Sequence, residues 1–255
     1  MYDIHCHLDH PSMKSVLGNI SKDKIKGLIT SGIEYSSWTD NLKIAQRCPF
    51  NVSLGLHPFF VKEKHSELIF LKELLKDKNV IAVGEIGLDY YNDYVGSKEL
   101  QQDVFYKQMI QARELNLPVI LHCRKAYDDL YAILKQIEVP ALIFHSFSGT
   151  EQDVGRMQEF NSYFSFGFPI VNINNKKHKR LVKLIPKDKL LLETDSPYMI
   201  PRDEMDKEEG FSSPSDIGLV YKAVSDVLDV SMESLVLQTE RNVKRIWKDF
   251  RELSN

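Results

Sequence analysis

Cysteine is scarce. Three thiols, Cys6, Cys48 and Cys123, are scattered through 255 residues, too few and too far apart for a disulfide framework. Cys6 and Cys123 sit inside apolar runs and read as small buried hydrophobes. No apolar stretch approaches the ~20 residues needed to cross a bilayer, so no membrane partner is expected. Asp3, His5, His7 and Asp9 interrupt the N-terminus at once, unlike a signal peptide, and a cytoplasmic location is expected. Basic excess is also missing. The net charge is −3, which gives no global attraction for nucleic acid; a polyanionic substrate would need a local basic patch or a metal. No G-x-G-x-x-G or Walker loop points to nucleotide binding. No repeat, low-complexity tract or linker divides the chain, and no protein partner can be inferred. One domain over residues 1–255 is expected.

What the chain does have is an alternation of short apolar runs with amphipathic segments. The runs cover 2–6, 25–30, 51–56, 80–85, 118–123, 141–145, 163–167 and 189–193. Each is rich in Val, Ile, Leu or Phe and mostly non-alternating, as in strands of a parallel sheet buried on both faces. Between them, 66–76, 100–115 and 127–137 carry apolar residues at i, i+3, i+4 spacing and predict helices with core-facing stripes. Helical segments also follow the polar loop 201–215. About eight strands, each followed by a helical stretch, predict an α/β fold of the (β/α)8 TIM-barrel type. An open doubly wound sheet is the alternative.

In such a barrel the chemistry lies at the C-terminal ends of the strands. There the sequence places His5-Cys6-His7, His57, Glu85, His122, His145 and Glu193-Thr194-Asp195. Residues two apart on a strand share a face, so His5 and His7 can present two imidazoles to one ion. Imidazole suits zinc and other transition metals. His122 and His145 each end a strongly apolar run, and Glu85 and Asp195 add carboxylates that are costly to bury without a cation. Four imidazoles and two carboxylates suit one ion poorly and two well. Paired divalent ions ~3.5–4 Å apart are a recurrent device for hydrolysis.

These motifs resemble the TatD family of metal-dependent deoxyribonucleases, within the amidohydrolase superfamily. The resemblance rests on His5-Cys6-His7-Leu8-Asp9, Gly55-Leu56-His57-Pro58, the run from Val83 to Tyr90, the run from Leu121 to Ala126, the run from Phe144 to Gly149, and Glu193-Thr194-Asp195-Ser196-Pro197-Tyr198. It spans nearly the whole chain in the family's order. It implies that His5, His7 and Asp195 hold one divalent metal, that His122 and His145 hold the second, and that Glu85 bridges both. It also implies that Asp195 orients or deprotonates the attacking water, with Glu85 beside it in the catalytic centre. His57 and Arg124 are candidates for substrate phosphate, Arg124 with Asp128 as its competing partner, and Glu193 for support behind the ligands. Zn, Mn and Mg all remain open as the metal. Two departures stand out: Ser146 replaces the family's cysteine, and Met199–Gly210 carries two basic residues among several acids where relatives usually have an Arg- and Asn-containing loop.

A basic cluster, Lys176 to Lys183, could steer phosphates or form a solvated helix face. Tyr90, Tyr91, Tyr94, Phe59 and Phe60 could stack on unpaired bases or pack under loops. A non-basic protein with few phosphate contacts should prefer ends or short single strands. The expected function is therefore hydrolysis of DNA phosphodiesters, single-stranded or at 3′ ends. The alternatives are another ester on the same metals, such as a small phosphoester or D-aminoacyl-tRNA, or a non-catalytic metal-binding subunit.

Overall fold

A computed structural model describes residues 1–20, 24–61, 67–91, 97–199 and 211–253. Eight parallel strands form one sheet in sequential order: β1 (Tyr2–Cys6), β2 (Gly27–Gly32), β3 (Asn51–Leu54), β4 (Val80–Asp89), β5 (Val119–Arg124), β6 (Leu142–Phe144), β7 (Ser162–Phe166) and β8 (Leu190–Leu192). The helices between and after them are α1 (Tyr35–Arg47), α2 (Glu67–Leu74), α3 (Lys98–Leu115), α4 (Tyr127–Leu134), α5 (Glu151–Met157), α6 (Lys176–Leu184), α7 (Ile217–Leu228) and α8 (Met232–Ile246). The (β/α)8 architecture expected from the alternation is the one formed, and the open sheet is excluded. First and last strands meet: Asp195 N donates to His5 O at 2.9 Å and His7 N to Ser196 O at 2.7 Å. Below them the Asp3 carboxylate accepts from Thr194 N at 2.9 Å and Thr194 Oγ1 at 2.6 Å. No described helix is long and apolar enough to cross a membrane.

Period-2 facing explains the layering. Seven strands send Tyr2, Ile4, Ile29, Ala82, Ile120, Ile143, Tyr163 and Leu191 into one cluster that fills the barrel, closed at its floor by Val243 of α8 and by Trp247 just after it. The opposite strand faces pack under the helices in a larger cluster. Two positions up from the filling lie His122 above Ile120 and His145 above Ile143, so alternation alone turns both imidazoles inward.

β1 and β4 need a further device. Tyr2 and Ile4 face inward, yet Cys6 and Leu8 pack outside. Between Asp3 and Cys6 the register slips, three steps on β1 matching two on β2. β4 does the same between Val83 and Ile86 against β5, after which Ile86 and Leu88 face outward. One extra residue inverts the facing of everything beyond it. His5 and His7 on β1, and Glu85 and Asp89 on β4, therefore turn into the barrel mouth. Gly84 and Gly87 make the β4 irregularity feasible. Their φ values are +130° and +145°, and a Cβ would run into the carbonyls of Ile120 and His122.

Candidate metal centre

The Glu85 carboxylate is the hub of the barrel mouth. Its Oε2 lies 3.1 Å from His5 Nε2 and 3.7 Å from His7 Nε2. Its Oε1 lies 2.8 Å from His122 Nδ1, 3.2 Å from His57 Nε2 and 3.5 Å from His145 Nε2. Asp195 joins the first side: Oδ1 is 3.3 Å from His7 Nε2 and 3.8 Å from His5 Nε2, while Oδ2 is 4.0 Å from His145 Nε2. Donors about 2.1 Å from a tetrahedral ion lie ~3.4 Å from one another, and these separations bracket that value. By separation alone three sets could each hold an ion: His5 with His7 and Glu85, His5 with His145 and Asp195, and His57 with Glu85 and His122.

The partners behind each ring separate acceptors from donors. His7 Nδ1 lies 3.0 Å from the Ser31 carbonyl oxygen, so Nδ1 carries the proton and Nε2 presents its lone pair to the centre. His5 Nδ1 meets Ser31 Oγ at 3.0 Å, and that hydroxyl meets Ser53 Oγ at 2.7 Å. His122 turns Nε2 to Asp89 Oδ2 at 2.8 Å, which leaves Nδ1 as the lone-pair nitrogen. His145 sets Nδ1 2.9 Å from Glu193 Oε1. Rings that bind metals commonly give their other N–H to such acceptors. His57 is built the other way round. Its Nδ1 accepts from Phe59 N at 3.1 Å, so the neutral ring carries its proton on Nε2 and can only donate inward.

Charge points the same way. His5 Nε2 and His7 Nε2 approach to 3.2 Å, lone pair against lone pair unless a cation or proton lies between. Burial works to raise the Glu85 carboxyl pKa, but His145, His57 and the bonded His122 and His5 outweigh it and hold it well below the usual carboxylate range. Burial alone would lower His145, yet Glu193, Glu85 and Asp195 push it up to about 10. His57, buried beside other imidazoles, falls to about 4. The centre thus concentrates negative charge that a cation would neutralise. The donor set is nitrogen and oxygen; Cys6 Sγ turns away to Ile29 O.

The residues singled out in the sequence converge with one difference of depth. His5, His7, Glu85, His122, His145 and Asp195 share the centre, and Glu193 sits fully buried behind His145. His57 is not on the rim but buried against Glu85. Arg124 is at the rim, over the Tyr91 ring at 4.2 Å and 3.8 Å from Asp89 Oδ2. Its competing partner Asp128 is taken by Arg156 at 2.5 Å. Of the basic cluster, Lys177 donates to Ser148 O, Lys179 to Ile173 O, and Arg180 pairs with Glu151. Tyr90 is tied to Asp129 and Gln102; Tyr94 and most of 199–210 lie outside the described residues. Sequence reasoning passed over Asp89, Ser31 and Asp3. Asp89 is four residues from Glu85 on the same strand, a spacing that could have revealed it. Asp3 is fully buried, and burial pushes its carboxyl up to about 8 against the Thr194 hydrogen bonds.

Above the centre opens a cleft of about 630 Å³, walled by Ile33, Phe59, Phe60, Cys123, Arg124, Ser146, Ser148, Pro169, His178, Tyr198 and Met199. The arrangement suits metal-assisted hydrolysis.

Known proteins agree with the geometry. Residues 2–248 match the family model described as TatD related DNase. The uncharacterized metal-dependent hydrolase YabD of Bacillus subtilis is 31% identical over 97% of this chain and 99% of its own length. The 3′-5′ ssDNA/RNA exonuclease TatD of Pantoea ananatis is 27% identical, covering 97% of this chain and 99% of its own. Among solved structures, the TatD homolog YJJV of Escherichia coli superposes with a TM-score of 0.88 at 27% identity, over 97% of this chain and 98% of that one. With the barrel, the imidazole–carboxylate centre and these matches together, the chain belongs to the TatD family of metal-dependent hydrolases.

Proposed function

We propose that the protein is a nuclease that hydrolyses phosphodiesters at the end of single-stranded DNA or RNA, using two divalent ions held on either side of Glu85. The observation that carries this reading is the split of the Glu85 carboxylate, with Oε2 toward His5 and His7 and Oε1 toward His122 and His145. His5, His7 and Asp195 would hold one ion, His122 and His145 the other, and Glu85 both. Divalent ions so held supply Lewis acidity and a water-derived nucleophile at neutral pH. The Asp195 carboxylate, with Oδ2 4.0 Å from His145 Nε2, would accept the proton of the attacking water. His57 donates Nε2–H to a phosphoryl oxygen, and Arg124 adds a planar cation at the rim. The relative from Pantoea ananatis, named a 3′-5′ ssDNA/RNA exonuclease, supports the substrate class.

A second reading, an ester at the charged end of a tRNA, draws support from the compact cleft with its single guanidinium among the described lining residues. One panel separates the two: end-labelled single-stranded and duplex DNA and RNA, D-aminoacyl-tRNA and a small phosphomonoester, each with Mn²⁺, Zn²⁺ or Mg²⁺. Stepwise shortening of single strands from one end is the expected result. Inertness toward every oligonucleotide overturns the nuclease reading. Metal analysis should find two equivalents per chain after Mn²⁺ saturation.

A further inference from the structure

We infer that Phe59 and Tyr198 are base-stacking platforms that grip the unpaired bases flanking the scissile phosphate, which makes base exposure, not backbone charge, the basis of selectivity; this rests on the nuclease reading above. Both rings border the cleft. Both are large apolar surfaces left open to solvent, Phe59 at 48% and Tyr198 at 56%. Each stands edge-on against the imidazoles of the centre. Phe59 is 4.6 Å from His57 and 6.0 Å from His122, centroid to centroid; Tyr198 is 5.0 Å from His7. Phe59 leaves β3 and Tyr198 leaves β8, with β1 and β2 between them, so the rings bound the centre from separate sides.

Other exposed aromatic rings differ. Tyr91 lies outside the cleft lining and already has the cations of Arg124 and Lys125 against its ring, at 4.2 and 4.7 Å. Tyr35 packs on Phe70 at 5.1 Å, away from the cleft lining. Phe59 and Tyr198 are also pre-positioned. Phe59 N is held by His57 Nδ1 at 3.1 Å and Tyr198 N by Asp195 O at 2.9 Å, so little backbone entropy is lost on binding.

Charge leaves few alternatives. Binding through the backbone takes several Lys or Arg side chains on successive phosphates. Arg124 is the one permanent cation among the described lining residues. Stacking is sequence-tolerant and demands that the base be out of a duplex.

The test is a cycle that crosses ring removal with base removal. Single-stranded oligonucleotides are compared with versions in which the two bases flanking the cleaved bond are replaced by abasic sugars. Wild-type enzyme, Phe59→Ala, Tyr198→Ala and the conservative Phe59→Tyr and Tyr198→Phe are assayed on both. For wild type, base removal should raise KM about tenfold or more. In each alanine variant that penalty should shrink, because the lost base no longer had a partner, and the conservative variants should restore it. A structural defect would weaken both substrates in proportion and leave the penalty unchanged; that result, in a wild type that does cleave oligonucleotides, overturns the stacking role alone. Failure of wild type to cleave any oligonucleotide overturns the nuclease reading and the platforms with it.

Discussion

On the Oε2 side of Glu85, the rings of His5 and His7 rest on a carbonyl and a hydroxyl of Ser31. On the Oε1 side, His122 and His145 rest against the carboxylates of Asp89 and Glu193. The first side places its second negative charge, Asp195, directly at the centre. The other keeps its extra charges one layer back, where they act through the rings. A carboxylate behind an imidazole raises the ring's basicity and fixes its tautomer, whereas a neutral acceptor mainly fixes the tautomer. The same total demand for anions is thus met by two constructions, and the side with Asp195 is the one that also offers a proton acceptor.

The contrast can be broken or sharpened by substitution. Glu85→Gln removes the charge common to both sides. Bound metal measured by mass spectrometry should fall on both, and hydrolysis by about a thousandfold or more; two equivalents retained would mean the sides do not share this group. Asp195→Asn should lower turnover by about 10²–10⁴-fold while circular dichroism shows the fold intact. Asp89→Asn and Glu193→Gln should each weaken metal affinity by about 10–100-fold in chelator competition. Ser31→Ala should cost less than either. Equal losses for all three would erase the distinction between carboxylate and neutral backing. The smallest effect is on stability: each ion at about 100 times its Kd adds ~2.7 kcal/mol, a rise in Tm of roughly 5–10 °C per ion for a chain of this size. Scanning calorimetry with and without chelator reads it, and Glu85→Gln should abolish the difference.

Much of this was legible in the residues because β5 and β6 are regular. Ile120 and His122, or Ile143 and His145, differ by two positions and share a facing, so an apolar run ending in histidine reads directly as a ring in the mouth. The end of β4 did not read as well. The apolar run stops at Glu85, but the strand continues to Asp89; the bulge at Gly84–Glu85 breaks the alternation that would have extended it. α1 was not delimited because its buried face mixes Trp38, Leu42 and Ala45 with Ser37 and Asn41, which blurs the apolar stripe. Glu193 and Asp195 look equivalent at two-residue spacing. The strand stops at Leu192 and Asp195 takes φ 57°, which sends one carboxylate behind His145 and the other in front of it. The sequence placed His57 at a strand end but could not orient its ring, because the ring is set by the turn it caps and not by strand facing.

The Asp3–Thr194 clamp has a consequence for how the enzyme comes into being. It joins positions 191 residues apart, the two margins of the sheet. During synthesis, which proceeds from the N-terminus, Glu85, His122 and His145 emerge well before Asp195, which reaches them only when the last strand docks beside the first. The full set of imidazoles and carboxylates is therefore assembled only on ring closure.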